Sequence, residues 1–127
     1  MLFYSKSSRY FLILIASLVI GSNFAKANTF TLIREWIESG RYKRAWQAIH
    51  SGHHQLNAAE RFWLKAKIFH DQGAHYLSLD QLDSLETTLR AQPEFQKVWG
   101  EYLYTLRADV FYQLYEIGQH LKEIELL

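Results

Sequence analysis

Between Thr31 and Ile49 the apolar residues Leu32, Ile33, Trp36 and Ile37, then Trp46 and Ile49, recur at the three- and four-residue spacing of a helix. The recurrence is interrupted once, at Ser39-Gly40-Arg41. This predicts two short helices meeting at a glycine, the second ended by Ser51-Gly52-His53-His54, since glycine just past the last periodic residue is a common stop signal. Asn57-Ala58-Ala59-Glu60 has the form of a capping box and predicts a helix start. That helix runs through Phe62, Trp63, Ala66, Phe69 and His70 and stops at Asp71-Gln72-Gly73. Ser78-Leu79-Asp80-Gln81 is a second capping-box candidate, followed by the apolar stripe Leu79, Leu82, Leu85 and Leu89 and a stop before Pro93, the single proline. From Phe95 the stripe Trp99, Tyr102, Leu106, Val110, Leu114, Ile117, Leu121, Ile124 keeps helical period to the end of the sequence. It fits one long helix, or two meeting near Arg107-Ala108-Asp109 with Asp109 as the second N-cap. No run alternates with period two over a strand's length, so the expected fold class is all-α.

The glycine-centred pattern occurs twice. Gly40 and Gly73 lie 33 residues apart, as do Trp36 and Phe69, and each aromatic precedes its glycine by one helical turn. Ala66 and Gly100, both small and both within a helix, are 34 apart. A helix-turn-helix unit of this period resembles the tetratricopeptide repeat. Residues 36–49 (WIESGRYKRAWQAI) carry the resemblance most fully, with Gly40 at the interhelix turn, Tyr42 after it, Ala45 at the small position and Ile49 at the apolar position one turn on. The second unit keeps Ala66, Phe69 and Gly73 but has His75 for the aromatic and Ser78 for the alanine. The third keeps Gly100 and Leu103, with Arg107 where the turn glycine would be and Tyr112 where the alanine would be. The resemblance implies a short stack of antiparallel helical hairpins, two to three units, which need one another to bury their apolar faces.

Composition divides the 127 residues into two parts. Lys6 and Arg9 precede the apolar run Tyr10 to Ile20, and a polar stretch ends at Ala25-Lys26-Ala27. A positive n-region, an apolar stretch of this length and an A-x-A site describe a secretory signal peptide over residues 1–27, with cleavage after Ala27 and a helical domain over 28–127. The run is shorter than the roughly 20 residues of a membrane-spanning helix. The expected location is therefore periplasmic or secreted. An uncleaved segment would be the only link to a membrane. The domain without its leader holds 11 Lys and Arg against 13 acids, which disfavours nucleic acid as a partner. There is no cysteine, so neither disulfides nor thiolate chemistry contribute.

Little in the sequence points to catalysis or a cofactor. His50-x-x-His53-His54 supplies no third ligand at recognisable spacing, so no metal is expected there. Asp80, Asp83 and Glu86 have the spacing of a solvated helix face rather than of a general acid and its partner. Charge is segregated instead: residues 28–67 hold seven bases and three acids, residues 68–127 four bases and ten acids. Such ends can steer a charged partner or order copies into a homo-oligomer.

The expectation is an exported, non-catalytic helical-repeat protein that binds a protein or peptide in the bacterial envelope as a scaffold or adaptor. The alternative is a small structural subunit of an envelope complex, or a homodimer held by the aromatic-rich C-terminal helix. The resemblance implies a concave groove lined by the first helices of successive units. Its positions here are Phe30 and Arg34, then Trp63, Lys67 and His70, then Lys97, Glu101 and Tyr104. Trp63 would be a partly exposed anchor, Arg34 with Lys67 a polar clamp, and Phe62, Ala66 and Phe69 the buried face of their helix. The asparagines that accompany basic residues in members clamping a terminal carboxylate are absent.

Overall fold

The computed structural model describes residues 29–52 and 55–125, and every regular element among them is helical. The expected signal segment, together with His53 and His54, lies outside the described residues. Helix α1 is described over 29–38, followed by α2 (Tyr42–His50), α3 (Ala58–Asp71), α4 (His75–Ala91), a 3-10 turn at Pro93–Phe95 and α5 (Gln96–Glu125).

The α1–α2 and α3–α4 connections have the same hydrogen bonds. Gly40 and Gly73 both have φ of 81°, a left-handed conformation that suits a residue without a Cβ. Gly40 N–H donates to Ile37 C=O (3.0 Å) and Arg41 N–H to Trp36 C=O (2.7 Å). Gly73 N–H donates to His70 C=O (3.0 Å) and Ala74 N–H to Phe69 C=O (2.8 Å). Each turn is thus a Schellman motif that satisfies the last carbonyls of one helix and delivers the chain into the next. The aromatic one turn before each glycine is the residue whose carbonyl the motif caps.

Helix α3 starts as its sequence predicts. Asn57 Oδ1 accepts from Glu60 N–H (2.8 Å), and Asn57 N–H donates to Glu60 Oε1 (3.0 Å). The second expected box is not a cap. Helix α4 begins a turn earlier, at His75, because the Gly73 turn feeds it directly, and Ser78 lies buried inside it. There its hydroxyl donates to Ala66 C=O (2.7 Å) across the α3–α4 contact, where two small residues let the backbones approach.

The core is one cluster. Ile33 and Ile37 of α1, Ala45 and Ile49 of α2, Leu64 and Ala66 of α3, and Leu82, Leu85 and Leu89 of α4 are all buried. Leu103, Leu106 and Val110 of α5 belong to it too, as do Trp63 of α3 and Trp99 of α5. Outside this cluster Arg44 lays its guanidinium over Trp36 at 4.4 Å, joining α2 to α1. Asp83 and Glu86 are not merely solvated, since both accept from Arg107 of α5, at 3.2 and 2.9 Å. That guanidinium holds the Glu86 carboxyl below its ordinary value.

α5 resolves the ambiguity at Arg107-Ala108-Asp109: it is a single helix of 30 residues, and Asp109 sits exposed within it rather than capping a new one. Its last buried residue is Val110. Among the described residues no helix is long and apolar enough to cross a membrane.

Candidate functional site

α1, α3 and α5 enclose a cleft of about 380 Å³ lined by Arg34 and Glu38, by Trp63 and Lys67, and by Glu101, Tyr102, Thr105, Leu106 and Asp109. Its base is aromatic. Trp63 and Tyr102 meet edge to face with centroids 5.4 Å apart, and the Trp63 indole N–H donates to Tyr102 C=O at 3.3 Å. Phe30 of α1 packs against this aromatic group, 5.7 Å from Trp63, 5.4 Å from Trp99 and 6.2 Å from Tyr102.

Trp63 is therefore not the partly exposed anchor expected of it. It is 5% exposed, because Phe30 and Tyr102 cover its ring and the α5 backbone takes its one donor. Ala66 is on the buried face as expected, while Phe62 and Phe69 are only partly buried at its margin. Trp63 forms floor, and its contribution to any ligand is a wall to pack on.

The two cations at the cleft are already engaged. Arg34 Nε bonds Glu38 Oε1 at 3.2 Å and its guanidinium lies 5.3 Å from the Trp63 ring and 5.9 Å from that of Tyr102. Lys67 Nζ bonds Asp71 Oδ1 at 3.1 Å. Both pairs are separated by four residues on their helix, and the second repeats the first 33 residues on. On the facing wall, Glu101 and Asp109 take part in no ion pair among the described residues. The cleft thus has neutralised pairs on one side and free carboxylates on the other, so its unbalanced charge is negative. Arg34 and Lys67, the expected clamp, both line the cleft and each pairs with an acid of its own helix, whereas Glu101 and Asp109 of α5 have no such partner among the described residues.

Of the expected groove residues, Arg34, Trp63, Lys67 and Glu101 meet in the cleft, while Phe30 packs against Trp63 and is not among the residues that line it. His70 lies beyond Lys67, its ring 5.4 Å from that of His75 with Nδ1 atoms 3.4 Å apart. Burial, and after it the Lys67 charge, lowers the His70 pKa. Lys97 and Tyr104 stand exposed and away from the cleft. At 100° per residue they fall roughly a third of a turn from the line Tyr102, Thr105, Asp109 that faces it. Carrying the 33 to 34 residue period into α5 placed that face about one residue out. Thr105 and Asp109 were legible by another route, as the positions four and eight residues after Glu101.

Among the described residues no three His, Asp or Glu side chains converge as metal ligands would. No family model, curated protein or solved structure matches the chain.

Proposed function

We propose that the protein is a non-catalytic binding module of tetratricopeptide-like build, exported by its N-terminal segment, whose cleft receives a segment of another protein. The observation that carries this reading is the cleft itself, an aromatic floor between three helices with two unpaired carboxylates on one wall. The repetition of turn and ion pair at 33 residues supports the repeat reading, and the apolar run before an A-x-A site supports export. An apolar bed with a few placed polar groups is the usual make-up of a site that takes a ligand side chain. The occupant that fits is an extended or helical segment bearing Lys or Arg, its cation at Asp109 or at Glu101, about two turns apart on α5, and its aliphatic stem on Tyr102 and Leu106.

Panning a displayed library of random peptides against the immobilised chain tests this. Selected peptides should be enriched in Lys and Arg and should lose binding to Thr105→Trp, which fills the cleft, and to Asp109→Lys, which reverses its charge. Peptides that bind both variants as well as the original chain would place the binding surface elsewhere.

A further inference from the structure

The apolar stripe of α5 outlasts the body that covers it. Through Val110 it is buried, whereas Phe111, Tyr115, Ile117, Leu121 and Ile124 are between 44% and 64% exposed. The cause is length. α4 runs antiparallel beside α5, to which the short Pro93–Phe95 turn joins it, and begins at His75, which by count from the Asp83 and Glu86 bonds to Arg107 is level with about Tyr115 to Gly118. Beyond that level α5 continues for about two to three turns. Leu114, Ile117, Leu121 and Ile124 succeed one another at steps of three, four and three, the seam of a helix that meets a second helix. Phe111 and Tyr115 widen it on one side, and Gly118 lies between the two, where a Cβ would meet nothing within 4 Å. Glu116, Gln119 and Glu123 form the opposite, polar side.

We propose that this projecting half of α5 is a self-association surface, on which two copies of the chain pair antiparallel, with Gly118 near the two-fold axis. The proposal is independent of the cleft. Three observations favour a second copy. The five residues, two aromatic and three aliphatic and each about half exposed, offer on the order of 500 Å² per copy, taking the roughly 150–250 Å² an aromatic side chain can bury as the upper bound for each. That is about two thirds of the roughly 800 Å² each partner contributes to a standard interface, the range of a weak dimer. Residues 111–125 carry three acids, Glu116, Glu123 and Glu125, against Lys122, which is the wrong balance for an anionic lipid surface. Lastly, an antiparallel partner lays its tip along the line of α4, toward the exposed Tyr76 and Leu77 of the first turn of α4, so that the end of the seam meets further apolar surface.

Sedimentation equilibrium of the full chain tests the pairing. A concentration-dependent dimer is expected, and the double substitution Ile117→Asp with Leu121→Asp should weaken it at least a hundredfold while leaving the circular dichroism and the melting temperature of the monomer unchanged, since both side chains are exposed there. The chain has no cysteine, so single spin labels report the arrangement directly. Labels on Gly118→Cys should be close across the dimer and labels on Glu125→Cys distinctly farther apart. A monomer at 100 µM, association that survives the double substitution, or equal short distances at both positions would each overturn the proposal. So would binding of the monomer to anionic phosphatidylglycerol vesicles through the same residues.

Discussion

The two hairpins, α1–α2 and α3–α4, close with the same turn and differ in almost everything packed around it. Trp36 and Phe69, Gly40 and Gly73, and Arg34–Glu38 and Lys67–Asp71 correspond at 33 residues. Yet Ile37, fully buried, corresponds to the half-buried, polar His70, and Ala45 corresponds to Ser78, whose hydroxyl bonds Ala66. Phe30, half-buried, corresponds to Trp63, which is covered by helices on both sides. Backbone conformation thus follows the local sequence pattern, while burial follows position in the stack: α3–α4 is flanked by α1–α2 and by α5.

The largest expected effect sharpens that contrast. Trp63→Ala should cost about 3–5 kcal/mol of folding free energy in denaturant titrations, as large-to-small core substitutions do. Phe30→Ala, at the corresponding position of the outer helix, should cost distinctly less. Equal losses would mean that the flanking of α3 does not govern burial. Next come the two glycines, which ought to behave alike. Both have the same φ and open space for a Cβ, so Gly40→Ala and Gly73→Ala should each cost about 1 kcal/mol or more through backbone strain alone. If one melts far below the other, the turns are not equivalent.

Ser78→Ala makes the second hairpin resemble the first and should cost about 1 kcal/mol, the net worth of one hydrogen bond. No change in the urea midpoint would show that the Ala66 contact contributes only by its closeness. The smallest effect is in pH. Burial and Lys67 lower the His70 pKa from 6.5, with His75 adding to this and Asp71 and Asp109 opposing it. The unfolded chain therefore binds the proton more readily. The stability associated with neutral His70 is present above pH 6.5 and falls as pH drops through the folded value. His70→Ile, which copies Ile37, should flatten that slope.

Much of the fold was legible in the sequence because it depends on short-range chemistry. Glycine at a left-handed position, an asparagine with an acid three residues on, and apolar spacing identify the turns, the start of α3 and the helical class. What was not legible depends on residues distant in sequence. Ser78 looks like a cap until Ala66 is seen opposite it. Trp63 looks exposed until Phe30 and Tyr102 cover it. The period of α5 is the same before and after Val110, although beyond Leu114 the stripe is exposed. The cleft's α5 wall was reached through Glu101 alone, since the hairpin period carries no information about the register of a helix that does not turn back.

The central claim is that the α1–α3–α5 cleft is the surface through which the protein meets its partner. A photo-reactive amino acid with a small aliphatic diazirine side chain, too small to fill the cleft as tryptophan does, placed at Thr105 and separately at Gln47, exposed on α2, tests it in the living cell. Irradiation should yield a discrete adduct from position 105 and none from 47, and Asp109→Lys should abolish it. An adduct of equal yield from Gln47, or one at Thr105 indifferent to the charge at Asp109, would contradict the account.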